Sequence, residues 1–343
     1  MNGEDIFQQG YRFYTDAENE ADLHRAFALL SQAASMGHAL AQDVLGNMYE
    51  DGDGAPLDVN TAAQLYRLSA DQDCPLGLYD LGLMYLDGCG VPENPAKAFE
   101  MIDRAVSLGD DPDHIFTLSV MYLQGTGVEK DEKKAISLLR RAESLGSVDA
   151  KANLGAMYLS GEGLQKDTKK AYELLKAAAE EQDCSAMCNL ALMYEGGIEV
   201  EKDMDKAVSL YKEAAEIGYS PAFYHLGVLV GEGEADLGDI DPVGLLETAG
   251  ADGNIDALYK LGVMYYDGDG VEADKDMASQ YFRAGAEFEN PECMYNLGIM
   301  ILRGEAEADY EEEHLDLILA AADAGYQPAV DMVEKAKEKS GEE

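Results

Sequence analysis

A five-residue motif, Leu-Gly-x-Met-Tyr, returns along the chain at a nearly constant interval. That interval limits the possible folds more than any other feature of the sequence. The motif is intact at 45–49, 81–85, 154–158 and 261–265, while Ser119 and Ala191 replace the glycine in the copies at 118–122 and 190–194. Followed through the chain, the glycine slot falls at 10, 46, 82, 119, 155, 191, 227, 262 and 298, in steps of 35 to 37 residues. A period in this range marks a solenoid, in which each unit is too small to bury its apolar side alone and stacks on its neighbours.

The unit at 148–184 shows what is repeated. Ala150, Leu154, Met157 and Tyr158 recur at helical spacing and give one apolar face, helix A. Gly161 and Gly163 supply a turn, and Asp167 then stands where an N-cap belongs, ahead of Ala171, Leu174, Leu175, Ala178 and Ala179 on helix B. The same cap slot holds Asp58, Asn94, Asp131, Asp203 and Asp274. The helix-B alanine recurs at 26, 62, 98, 135, 171, 207 and 278, so a second residue type keeps the same period.

These residues resemble the Sel-1-like repeat, a branch of the tetratricopeptide-like α/α solenoids. The pattern Ala-x-x-x-Leu-Gly-x-Met-Tyr-x-x-Gly-x-Gly, followed by Asp-x-x-Lys-Ala, is best seen from Ala150 to Ala171 and from Leu261 to Ala278. The expected fold is all-α: a right-handed α/α superhelical solenoid of about nine helix-turn-helix repeats with a period of about 36 residues. The whole chain, 1–343, reads as one solenoid, with repeats at approximately 4–38, 39–74, 75–110, 111–147, 148–184, 185–219, 220–254, 255–290 and 291–326, and a capping helix at 327–339. The resemblance implies an adaptor or scaffold with no catalytic machinery. The family's frequent helix-B tryptophan is absent, with Leu29, Leu65, Met101, Leu138, Leu174, Leu210 and Tyr281 in that place. The seventh unit departs furthest: Val230 replaces the motif tyrosine, and the acidic loop 231–238 is the expected kink or hinge.

Charge narrows the partners. Acidic residues outnumber basic ones 68 to 25, for a formal charge of −43. Such a chain repels phosphate backbones and anionic lipid, and it attracts basic proteins, peptides or cations. Residues 1–96 hold three basic side chains, 97–212 hold fifteen and 213–334 hold four, so the middle is nearer balance than either end. Five cysteines (Cys74, Cys89, Cys184, Cys188 and Cys293) without regular pairing suggest free, mostly buried thiols in a reducing compartment. The N-terminus lacks a basic and apolar leader, and no apolar run reaches the ~20 residues that span a bilayer. Cytoplasm is the expected address, with no membrane insertion.

Chemistry is sparse. The five histidines share no spacing, and no metalloprotease, nucleophile-elbow or Walker pattern is present. Asp51, Asp53 and Asp58, like Asp267, Asp269 and Asp274, cluster oxygens but lack the remaining ligands of a calcium loop. No enzyme activity, cofactor or metal is expected. The better signal is a stripe on helix A. Tyr79, Phe116, Tyr224, Tyr259 and Tyr295 stand three residues before the glycine slot, and Leu83, Val120, Val228, Val263 and Ile299 stand one after it. Positions i and i+4 share a helix face. The stripe either packs between successive repeats or forms an exposed aromatic groove for a peptide. Beside it run Asp80, Thr117, Asn153, Asn189, His225, Lys260 and Asn296, whose amides suit a ligand backbone. The expected partner-binding residues are Tyr79, Phe116, Asn153, Asn189, Tyr224, His225, Tyr259, Lys260, Tyr295 and Asn296. The expected function is a non-enzymatic protein-interaction scaffold taking a protein or peptide, with basic character favoured, on the helix-A surface. The alternatives are a cation-binding or salt-adapted protein whose charge serves solvation, and, more remotely, a hydrolase.

Overall fold

The structure, a computed structural model describing residues 2–235, 238 and 241–340, is all-α, with nineteen helices and no strand among the described residues. It divides into two compact units, Met1–Asp183 and Cys184–Glu343. The first unit contains α1 (Gly3–Thr15), α2 (Glu20–Ser35), α3 (Ala39–Asp51), α4 (Val59–Ala70), α5 (Pro75–Asp87), α6 (Pro95–Leu108), α7 (Pro112–Gln124), α8 (Glu132–Ser144), α9 (Val148–Ser160) and α10 (Thr168–Glu180). The second contains α11 (Cys184–Gly196), α12 (Met204–Glu216), α13 (Ser220–Gly231), α14 (Pro242–Ala251), α15 (Ile255–Asp267), α16 (Lys275–Glu287), α17 (Pro291–Leu302), α18 (Glu313–Asp323) and α19 (Gln327–Ser340). Odd-numbered helices from α1 to α17 are the A helices and even-numbered helices are the B helices. Within each unit an A helix packs on its own B helix, and that B helix packs on the next A helix. A helices of successive repeats also touch directly, α1 with α3, α3 with α5 and α15 with α17.

One staple sets the turn in most repeats. Asp167 accepts a hydrogen bond from the Lys170 backbone N–H at 3.1 Å, and its own N–H donates to the Tyr158 carbonyl at 3.0 Å. The cap therefore joins the start of one helix to the end of the previous one. Lys170 then lies over the Tyr158 ring, 5.2 Å from its centroid. The same lysine-on-tyrosine contact recurs at Lys97 and Tyr85, Lys134 and Tyr122, and Lys206 and Tyr194. Each contact is a cation–π pair, worth on the order of 0.5–1 kcal/mol at an exposed site. The motif tyrosine and the Lys-Ala pair thus explain each other. Asp58, Asn94, Asp131, Asp203 and Asp274 cap their helices in the same way. Gly161 closes α9 in the left-handed region at φ 87°, a conformation side chains resist.

The glycine slot exists because helix B crosses helix A there. A Cβ on Gly46 would lie 2.5 Å from Tyr66 Cε1, and one on Gly262 would lie 2.5 Å from Phe282 Cε1. The helix-B residue that fills this crossing is Leu30, Tyr66, Ile102, Leu139, Leu175, Tyr211 or Phe282, each at most 2% exposed. The residues just before them, Leu29, Leu65, Met101, Leu138, Leu174, Leu210 and Tyr281, which stand in the place of the family's tryptophan, are half-buried. Positions three and four beyond the helix-B alanine share a face, and the crossing selects the fourth.

All five cysteines are free, and Cys74, Cys188 and Cys293 are buried. Burial pushes the Cys293 thiol up to about 12, so it stays an inert thiol. Of the expected loop at 231–238, Asp236 and Leu237 lie outside the described residues. No helix among the described residues is long and apolar enough to cross a membrane.

Candidate functional site

The helix-A stripe is used differently in the two units. In the first, Tyr79 of α5 reaches into the next repeat. Its ring stacks on His114 with centroids 4.0 Å apart, and its hydroxyl bonds Thr117 at 3.0 Å. Phe116 of α7 packs half-buried against the apolar core. Here the aromatic side chains join successive repeats. Asn153 of α9 turns its amide back on its own helix and donates to the Asp149 carbonyl at 3.0 Å.

In the second unit the expected residues form two groups and one isolated member. Asn189 of α11 stands apart and donates to the Ser185 carbonyl at 2.9 Å. On α13, His225 stacks on Tyr211 at 4.8 Å, and Tyr224 meets His225 edge-on at 5.3 Å. Burial holds His225 below the usual histidine range and raises the Tyr224 and Tyr259 hydroxyls, so all three stay neutral near pH 7. Lys260 leaves the stripe to pair with Glu232 at 3.2 Å.

The second group is built by α15 and α17. The Tyr259 ring tilts against Phe282 at 6.2 Å, and Tyr295 meets Tyr326 edge-on at 5.4 Å. Asn296 donates to the Glu292 carbonyl at 2.8 Å and also meets the Tyr259 hydroxyl. Between the two helices lies a groove of about 340 Å³. Val263, Tyr266, Tyr295, Asn296 and Ile299 form its walls, and the buried Phe282 and Met300 its floor. The exposed Asp267 and Arg303 stand at its mouth. One wall is fixed by a polar chain: Arg303 donates to the Tyr266 hydroxyl at 3.1 Å, Tyr266 donates to Glu305 at 3.0 Å, and Lys275 pairs with Glu305 at 2.5 Å. Three stripe positions, Val263, Tyr295 and Ile299, and Asn296 beside them therefore converge on one concavity. A groove lined by aromatic and aliphatic side chains with a few fixed polar groups is suited to holding a ligand.

The surroundings are acidic. Residues 213–334 carry 28 acidic and 4 basic side chains. Lys260, Lys275 and Arg283 are paired with carboxylates, and Arg303 is bonded to Tyr266, so the excess of carboxylates stands uncompensated. No group of three or more His, Cys, Asp or Glu side chains suited to a metal occurs among the described residues.

Asp43 was not among the expected site residues. It occupies the stripe position of α3, where most other repeats place tyrosine or phenylalanine, and is 2% exposed. The signal was present as an acid at a position that is otherwise apolar or aromatic.

The chain matches the Sel1 repeat over residues 10–38, 39–74, 75–110, 116–147, 148–183, 184–219, 255–287 and 291–312. The match passes over 220–254, the irregular seventh unit. Among solved structures it resembles c5321, a protective antigen present in uropathogenic Escherichia coli strains displaying an SLR fold. The identity is 25% and the TM-score 0.59, over 100% of this chain and 81% of that one. It also resembles a Sel1 repeat protein from Oxalobacter formigenes at 26% identity and TM-score 0.64, over 71% of this chain and 96% of that one. With eight matched repeats and the same helix-pair fold, the chain belongs to the Sel1 repeat family.

Proposed function

We propose that the chain is a non-enzymatic protein-interaction scaffold and that the α15–α17 groove receives a basic segment of its partner. The observation that carries this reading is the groove itself, where half-buried stripe residues converge beside unpaired carboxylates. Tyr295 and Ile299 offer apolar contact, Asn296 and Tyr266 offer polar atoms fixed by their neighbours, and Asp267 stands where a lysine or arginine would enter. The acidic field would mainly raise the association rate and would weaken with salt.

Selection of a random displayed-peptide library on the full chain tests this. Enriched peptides should carry Lys or Arg beside an apolar anchor. Tyr295→Ala and Ile299→Ala should weaken them at least tenfold, and Gln280→Ala on the exposed side of α16 should not. Peptides without basic bias, or equal binding by all variants, would defeat the proposal.

A further inference from the structure

Asp43 of α3 and Asp80 of α5 bring two carboxyl groups together between the second and third repeats. Asp43 is 2% exposed, and no N–H or hydroxyl donates to its fully buried Oδ1. The Asp80 carboxyl lies within hydrogen-bonding reach of it. Neither carboxylate has a lysine, arginine or histidine partner among the described residues. The other titratable groups facing the pair add no positive charge. Tyr66 of α4 donates to Glu50 of α3 at 2.6 Å, and Glu50 acts on Asp80 as a further negative charge. Tyr79, beside Asp80, is a neutral phenol. Neither α1 nor α2, which also pack on α3, brings a charged group that acts on either acid.

A buried carboxylate oxygen without a donor, facing a second carboxylate, is satisfied by a proton or by a cation. We infer that Asp43 and Asp80 share one proton, and that this proton fastens α3 to α5, making the joint between the second and third repeats sensitive to pH. Burial is the largest cause lifting both acids above the ordinary carboxylate range. For Asp43 the Asp80 charge adds to it, and for Asp80 the Glu50 charge does. Because the folded pKa is raised, the contribution to stability is fully present below the unfolded value of about 3.9 and is lost as pH rises through the folded value. Above that point two carboxylates face each other across the contact of α3 with α5. The pair then titrates as a unit, so its apparent values belong to neither residue alone.

Thermal midpoints of the full chain, followed from about pH 5 to about pH 9 at constant ionic strength, test this. The comparison of variants isolates the pair from every other titrating group of the chain. The wild type should lose several degrees toward the alkaline end, whereas Asp43→Asn, whose amide can donate to Asp80, should lose little and melt higher than wild type at pH 8. Asp80→Asn should behave likewise. Infrared spectra of the wild type near pH 7 should contain a protonated-carboxyl band that Asp43→Asn removes, a readout that a merely structural role would not give. Parallel melting curves in wild type and both variants would overturn the inference. So would a wild-type midpoint at pH 8 restored by sodium or calcium and unresponsive in Asp43→Asn, because a cation rather than a proton would then fill the site.

Discussion

Replacing Gly262 with alanine puts a Cβ 2.5 Å from Phe282 Cε1, inside any real contact distance. Phe282 is 2% exposed and lies on the floor of the α15–α17 groove, so the added methyl forces either its ring to shift from its packed position or helix A and helix B to part. Overpacking of this kind costs roughly 1–3 kcal/mol. The account predicts a lower urea midpoint for Gly262→Ala with an unchanged m-value, and an unaltered midpoint would contradict the crossing described here. The slot does not demand glycine everywhere, since Ser119 and Ala191 occupy it, both completely buried. Sequence spacing located the slot at nine places, but how much room each crossing leaves depends on the facing residue. Asp43 teaches the same lesson from the other side. Its position was legible, but the meaning of an acid there came only from Asp80 one repeat away.

At the scale of the helix, the cap, the turn and the lysine-on-tyrosine contact were legible because each is local and repeats with the period. Asp167, Lys170 and Tyr158 lie within one turn region, and local chemistry decides their geometry. Which helix-B residue fills the crossing was not legible, because Leu174 and Leu175 are both apolar and both near the alanine face. Only the crossing helix distinguishes them. Leu175 is fully buried, and Leu175→Ala should cost roughly 2–5 kcal/mol in urea unfolding. Leu174→Ala should cost clearly less, since Leu174 is half-buried. The reverse order would contradict the crossing described here. The aromatic stripe was also legible as a stripe, but its division of labour was not. Tyr79 and Phe116 are absorbed by repeat packing, whereas Tyr295 borders open space, and that difference depends on which neighbour each ring finds.

For the molecule as a whole, the period identified the family and the helix-pair fold, while charge only narrows the choice of partner. Sel1 repeat proteins are typically scaffolds, and for a scaffold function depends on which surface the stacked helices leave uncovered. In the second unit the surface proposed here is the α15–α17 groove, set among 28 acids and 4 bases over residues 213–334. The most direct measurement is site-specific photo-crosslinking in native lysate at low salt, with the probe at Asn296 in the groove and at the exposed Gln280 on α16. The account predicts discrete cross-linked partner bands from position 296, fading as salt is raised, and none from position 280. Equal cross-linking from both positions, or bands indifferent to salt, would contradict the groove as the working surface.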